Sequence, residues 1–202
     1  MKKLTFAQID WLILATEDNK ALLISEKILA KMQYNKDLTA TTWKTCTLRK
    51  YLNGEFYDSL GNDKTAILAT KNDNFSNPWF GTYGGNATTD KIFLLSLQEI
   101  VQYFGDSGQL TKNWRLTGDV SEWYFDDKFN ENRIAKNAKG SPVWWWLRSP
   151  GCNGDVAAIV FMDGGVCVGN NGGSVSKFGG VRPALWLDLR QITDSDNPPT
   201  EK

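Results

Sequence analysis

Residues 143–151 read VWWWLRSPG and residues 180–187 read GVRPALWL, and these two stretches decide the fold. Successive side chains of a β-strand point to opposite faces, so Trp144 and Trp146 would share one face and Trp145 the other. A strand that is apolar on both faces is typical of a position buried on both sides. We therefore interpret the tryptophan run as core, in preference to an exposed platform for stacking sugars.

The chain between these stretches has the pattern of short strands separated by glycine turns. The turn sequences are PG at 150–151, DGG at 163–165 and NNGG at 170–173. Asp-Gly and Asn-Gly pairs between alternating residues are a strong hairpin signal. The predicted strands cover residues 143–148, 157–161, 166–168, 174–178 and 181–187. The C-terminal half is thus predicted to be a short-stranded β-meander.

The N-terminal half is predicted to begin with a hairpin and to continue as helices. Alternating apolar residues around a polar turn at 17–20 predict a hairpin over residues 8–25. Thr42 is a candidate N-cap for a helix that ends at Asn53-Gly54, and a second helix is expected over about 62–69. Residues 70–90 read as a loop.

Residues 91–95 form a short predicted strand, and a third helix follows it. Ser96 and Glu99 have the spacing of a capping box, and Gly105 is the expected stop. Residues 106–140 are interpreted as an insertion with a helix near 121–136. Together these elements predict an α+β single domain over residues 1–190, followed by a disordered tail over 191–202.

Composition excludes several function classes. The chain has no histidine, which removes Ser–His and Cys–His nucleophile pairs and every histidine-containing zinc site. Its formal net charge is zero, so no basic excess suggests nucleic acid as a partner. Cys46, Cys152 and Cys167 show no metal-binding spacing, and a bridge between the last two stays open. No stretch approaches the roughly 20 apolar residues of a membrane span.

The remaining motifs predict no catalytic, metal or cofactor site. Residues 105–108 read GDSG, as in trypsin-like proteases, but without histidine we interpret them as a helix cap followed by a turn. Strand-like residues follow the glycine clusters, whereas a phosphate cradle needs a helix there. The acidic groups at 126–131 and 194–196 lack the glycine and terminal glutamate of a calcium loop. Arg148 and Arg182 are interpreted as structural, hydrogen-bonded arginines.

The two defining stretches, with Thr42-Trp43, residues 47–49 and residues 89–96, resemble a domain of unknown function (DUF6273) found in gut Firmicutes. The C-terminal arrangement also resembles the variable proteins of diversity-generating retroelements. That resemblance implies a C-type-lectin-like (formylglycine-generating-enzyme-like) fold in which residues 8–15 pair near 183–187. It also implies a scaffold that stays fixed while exposed positions vary.

The resemblance implies that residues 152–178 form the ligand-facing surface, because they lie between the scaffold positions. The expected ligand-binding residues are Cys152, Asn153, Asp155, Val156, Ile159, Phe161, Cys167, Val168, Asn170, Asn171, Ser174, Ser176 and Phe178. Short strands and glycine turns present such positions without requiring particular side chains.

The function expected from this surface is ligand binding without chemistry, in a receptor or adhesin whose partner is a protein or a glycan. Retroelement diversification would generate its specificity. Two alternatives stay open: a carboxylate-based glycan hydrolase, and a cell-surface interaction domain of fixed specificity. The cellular location also stays open, with the cell surface or export as the expectation if a leader has been removed.

Overall fold

The computed structural model describes residues 1–108, 110, 124–169 and 172–192, and it is mostly β. Strands account for 34% and helices for 19%, and strands occur along the whole chain. The predicted α+β, C-type-lectin-like architecture, with helices in the N-terminal half and strands in the C-terminal half, is therefore wrong. The first half supplies strands to both large sheets, and their partners come from the far end of the sequence, where local periodicity gives no information about them.

The first sheet joins the two ends of the domain. The predicted hairpin over residues 8–25 is confirmed, and Asp18 adopts a positive φ of 47° in its turn. The C-terminal strand pairs with the second arm of this hairpin. The expected pairing of residues 8–15 with residues 183–187 is therefore wrong. That second arm is almost wholly buried, which makes it the inner strand. The spatial order is β1 (Lys3–Phe6), β2 (Ile9–Glu17), β3 (Lys20–Ser25), β14 (Ala184–Asp188) and β5 (Ile67–Leu68).

The second sheet contains the tryptophan run. Its order is β4 (Ala30–Gln33), β13 (Phe178–Val181), β9 (Trp145–Pro150), β10 (Val156–Val160), β11 (Val166–Cys167) and β8 (Tyr124–Phe125), with β12 (Gly173–Ser174) also paired to β10. The predicted strand over 174–178 is thus divided between β12 and β13. A separate hairpin of β6 (Thr70–Asn72) and β7 (Thr88–Asp90) lies within the segment predicted as loop.

The chain passes from one large sheet to the other at two neighbouring places. It leaves β3 for β4, and it leaves β13 for β14 through Arg182 and Pro183. The two crossings are tied together, because Ser25 N donates to Pro183 O at 2.9 Å and Leu29 N donates to Val181 O at 3.0 Å. The two sheets are thereby connected through one pair of antiparallel segments.

The prediction that the tryptophan run is core is confirmed for Trp145 and Trp146, and Trp144 is partly buried against Trp146. Trp145 and Trp146 are fully buried and face opposite sides of β9. Trp145 Nε1 donates to Arg133 O at 3.1 Å, and Trp146 Nε1 donates to Met32 O at 2.9 Å. The Trp146 ring lies so close to Gly173 that a Cβ there would sit 2.0 Å from it. That contact explains why a glycine ends the preceding turn.

Helices are short and occur on both sides of the chain midpoint. The predicted stop at Asn53-Gly54 is wrong, because the Asn53 side chain binds the backbone of residues 91–92 while the helical path continues through a wider turn. The helical segments are α1 (Thr47–Tyr51), a π-helical turn (Leu52–Phe56), α2 (Tyr57–Ser59), a 3₁₀ helix (Gly61–Ala66), α3 (Leu97–Phe104), α4 (Asn130–Arg133) and a 3₁₀ turn (Leu189–Gln191).

Two other predicted segments differ from the structure. The helix expected near 121–136 is wrong over its described part, where β8 and the four-residue α4 occur. The rest of that helix, at 121–123, lies outside the described residues. The predicted strand over 91–95 is reduced to a single bridge between Phe93 and Ala184. Most of the predicted tail, residues 193–202, also lies outside the described residues.

The segment from Phe93 to Glu99 links the two large sheets. Phe93 exchanges two backbone hydrogen bonds with Ala184 of β14, at 2.7 and 2.9 Å. Two residues later, Leu95 O accepts from the backbone N of Arg148 in β9 at 2.9 Å. The predicted capping box of Ser96 and Glu99 is confirmed at the start of α3. Glu99 therefore both caps the helix and forms an ion pair with buried Arg148.

We predict that Glu99→Ala lowers the free energy of unfolding by about 3–5 kcal/mol, because it leaves the Arg148 guanidinium buried without its carboxylate. Urea denaturation monitored by tryptophan fluorescence measures the loss. The matched control is Asp58→Ala, which breaks the exposed pair with Lys64 and should cost below about 1 kcal/mol. Equal losses in the two variants would contradict this role for Glu99.

Candidate functional site

A buried carboxylate organises the polar side of the domain. Asp90, the last residue of β7, is 2% exposed and accepts hydrogen bonds from four side chains. Its Oδ1 accepts from Arg49 Nε at 2.6 Å. Its Oδ2 accepts from Trp43 Nε1 at 3.0 Å, Asn72 Nδ2 at 2.9 Å and Thr88 Oγ1 at 2.7 Å. These donors come from a loop, from α1, from β6 and from β7, so one carboxylate fixes four segments.

Three loops meet above this carboxylate: residues 40–45, residues 82–86 and residues 151–155. Thr41 N donates to Gly154 O at 2.8 Å, which joins the first loop to the third. A Cβ at Gly154 would lie 2.8 Å from the Cβ of Ala40, so only glycine permits this approach.

The three loops enclose an open cleft of about 640 Å³. Threonines supply much of its wall; the Thr41 and Thr45 oxygens lie 3.0 Å apart, and Thr42 N donates to Thr45 Oγ1 at 3.2 Å. Tyr83 is 61% exposed at the rim, and its hydroxyl lies 2.7 Å from Asn86 Oδ1. The lining residues are Ala40, Thr41, Thr42, Lys44, Thr45, Thr82, Tyr83, Gly85, Asn86 and Gly154. We call this surface the loop cleft.

Part of the sequence-predicted surface lies beside the loop cleft. Asn153 is exposed, and Cys152 and Asp155 are partly exposed, within the third loop. Val175 N donates to Asp155 O at 2.9 Å, and this places the partly exposed Ser174 and Ser176 next to the loop. Backbone hydrogen bonds fix the main chain that carries these side chains.

A second part of the sequence-predicted surface lies at the opposite end of β10, around the turn to β11. Tyr124, Phe161, Asp163 and Cys167 line a cavity of about 310 Å³ there. The Tyr124 hydroxyl donates to Asp163 Oδ2 at 2.9 Å, and burial together with this carboxylate raises the pKa of Tyr124. Burial also raises the pKa of Cys167 to about 11, so its thiolate is scarce at neutral pH.

The remaining predicted site residues are distributed between core and periphery. Phe178 is 64% exposed on β13, where it pairs with Gln33. Four predicted ligand-facing residues are buried: Val156, Ile159, Cys167 and Val168. Every residue of β10 is buried, so the expectation that alternate positions there face a ligand does not hold. Asn170 and Asn171 lie outside the described residues.

The serine of the protease-like GDSG segment takes part in a structural hydrogen-bond network. Ser107 Oγ donates to Asp127 Oδ2 at 2.6 Å, and Arg133 forms an ion pair with the same carboxylate at 2.9 Å. Burial alone would raise the pKa of Asp127, but the hydrogen bonds from Arg133 and Ser107 outweigh it and lower that pKa. The serine is thus bound to a carboxylate that Arg133 already neutralises.

The described part of the chain contains neither a metal-type side-chain cluster nor a helix suited to crossing a membrane. No group of three or more cysteine, aspartate or glutamate side chains there has the arrangement of a metal site. No helix in the same part of the chain has the length and apolar character needed to cross a membrane.

The chain belongs to the family described as a domain of unknown function (DUF6273), whose model matches residues 18–189. Neither a curated protein nor a solved structure matches the chain.

Sequence reasoning missed two of the three loops of the cleft and the carboxylate beneath it, and none of the expected ligand-binding residues lines the cleft. The signal was present, because Thr42-Trp43, Arg49 and Asp90 belong to the motifs that carried the family resemblance. Nothing in their spacing showed that they meet at one carboxylate, since the contacts span 41 and 47 residues of sequence.

We predict that Asp90→Ala destabilises the domain by about 3–5 kcal/mol, because it leaves Arg49 and three other donors without their acceptor. Denaturant titration measures this loss, and hydrogen exchange should show faster exchange in the loops at 40–45 and 82–86. Asp73→Ala is the matched control, since Asp73 is exposed and pairs only loosely with Lys71 at 3.6 Å. An Asp90→Ala protein as stable as this control would contradict the assignment.

Proposed function

We propose that this domain is a binding module that recognises a protein or a glycan through the loop cleft and the exposed residues next to it. One observation carries the proposal. The three loops are positioned by backbone hydrogen bonds, by a buried carboxylate and by local bonds from Thr45 and Asn153, whereas the Tyr83 and Asn86 side chains bond to each other at the rim. Such a surface can change its side chains without changing its fold.

The composition of the surface supports recognition by complementarity. Threonine hydroxyls, asparagine amides and an exposed tyrosine supply adaptable hydrogen bonds and one rigid aromatic contact, as binding loops of antibodies do. The cleft is open and presents both methyl and hydroxyl groups of threonine, which suits an extended polymer or a protein surface better than a small molecule that needs an enclosed pocket. Cys152, Asn153, Asp155, Ser174 and Ser176 extend the same surface.

Diversification by a retroelement is a further part of this proposal. It would act on codons between 152 and 178, and the exposed positions Asn153, Phe161 and Phe178 would tolerate it best. Buried Ile159 and Val168 would have to vary within apolar residues. Sequencing the gene and its flanks across a source population tests this directly. Substitutions traceable to template adenines support diversification, and mostly synonymous variation along the whole gene contradicts it.

We predict that the triple variant Tyr83→Ala/Asn86→Ala/Asn153→Ala stays folded but loses its ligand. The probes are a printed glycan array and a displayed random-peptide library, with the wild-type chain used to select binders. Binding of those binders should weaken by about tenfold or more, since three polar or aromatic contacts are removed. The unfolding midpoint should stay close to that of the wild type.

The matched control is Glu55→Ala/Asn62→Ala/Asp63→Ala, three exposed substitutions at the far end of the helical segment. It should bind as the wild type does. Equal binding by the cleft variant and this control would show that recognition lies elsewhere. Breakdown of a glycan probe by the wild-type chain would instead favour a hydrolase.

A further inference from the structure

A second cavity lies away from the loop cleft, at the Trp145 end of β9. The loop cleft adjoins the Pro150 end of this strand, roughly 17 Å away at 3.3 Å per residue. The cavity has a volume of about 510 Å³, within the range of small-molecule sites. The segment from Glu131 to Gly140 forms one wall, and Leu12 of β2 with residues 26–27, just after β3, forms the other.

Arg182 lines this cavity from within the core. It lies where the chain crosses between the two large sheets, and it is only 1% exposed. Its Nε donates to Ser25 O at 3.0 Å. The guanidinium carbon lies 4.9 Å from the centre of the Trp145 ring and 5.5 Å from that of Phe104. The guanidinium is therefore held by a backbone carbonyl at Nε and by contact with two aromatic rings.

The charge of Arg182 is compensated less well than that of the other buried arginines. Arg133 has Asp127 and Arg148 has Glu99 as an ion-pair partner. Arg182 has no carboxylate within ion-pair distance in the described part of the chain, and its buried Nη1 has no acceptor there. Burial lowers the pKa of Arg182 to about 10, so the group still carries its proton at neutral pH. A buried cation without an acceptor is costly unless an anion binds it.

The other lining groups restrict the kind of anion. Lys27 and Lys136 add positive charge at the mouth, whereas Glu131 opposes it. Glu26 also lines the cavity, but Lys3 binds its carboxylate at 2.5 Å. Arg182, Lys27 and Lys136 against Glu26 and Glu131 leave one net positive charge, which a single carboxylate balances.

Apolar side chains supply the rest of the cavity wall. Leu12 and Ile134 are partly buried there, and they would contact a hydrocarbon body. We infer that the cavity binds a small organic monocarboxylate, with the carboxylate on Arg182 and the apolar part against Leu12 and Ile134. A guanidinium N–H donates strong, charge-assisted hydrogen bonds to a carboxylate. This site is independent of the loop cleft and of the function proposed for it.

The test uses the whole chain with benzoate, its neutral analogue benzamide, and inorganic phosphate as probes. Isothermal titration should show saturable binding of benzoate and at least tenfold weaker binding of the other two, because benzamide lacks the charge that Arg182 binds and phosphate lacks the apolar body that Leu12 and Ile134 contact. Replacing Arg182 is unsuitable, because its contacts with Trp145 and Ser25 also support the core.

The variant is instead Ala138→Trp, which fills the mouth of the cavity from an exposed position. It should abolish benzoate binding and leave the unfolding midpoint unchanged. Ala69→Trp, at an exposed position outside this cavity, is the matched control and should bind as the wild type does. The inference is overturned if benzoate shows no saturable binding, if benzamide or phosphate binds as tightly, or if Ala138→Trp binds benzoate normally.

Discussion

The buried carboxylate of Asp90 is the constraint on which the polar side of the domain depends. An ionised carboxylate away from water is stable only when donors surround it, and here a guanidinium, an indole, an amide and a hydroxyl do so. Because the donors come from four segments, their geometry also sets where the neighbouring loops lie. The loop cleft is therefore shaped from beneath, and rim side chains such as Tyr83 are released from a structural role.

The parts of the fold that sequence predicted correctly are those with local causes. The hairpin at 8–25, the capping box at Ser96 and the two-sided burial of Trp145 and Trp146 each follow from residues close in sequence. The α+β architecture failed because the pairings of β3 with β14 and of β4 with β13 are non-local. Asn53-Gly54 failed for a related reason, since a distant backbone segment binds Asn53 and the helical path continues.

The candidate site was predictable only in part. Glycine turns correctly marked 151–155 as a loop. The alternation of side chains along β10 predicted an outward-facing Ile159, whereas this residue is buried. The loops at 40–45 and 82–86 carry no glycine-turn pattern that points to Gly154. Their meeting rests on tertiary contacts such as Thr41 with Gly154, which no spacing rule contains. Family motifs preserved the residues involved without revealing what they do.

The loop cleft should tolerate substitution, whereas the framework around Asp90 should not. A deep mutational scan of the displayed chain, with the yield of folded protein as the readout, tests this most directly. Tyr83, Asn86 and Asn153 should accept most substitutions, whereas Trp43 and Asp90 should accept almost none. If the three cleft residues prove as intolerant as Asp90, their side chains hold the fold together, and the loop cleft is not a surface free to specialise for a ligand.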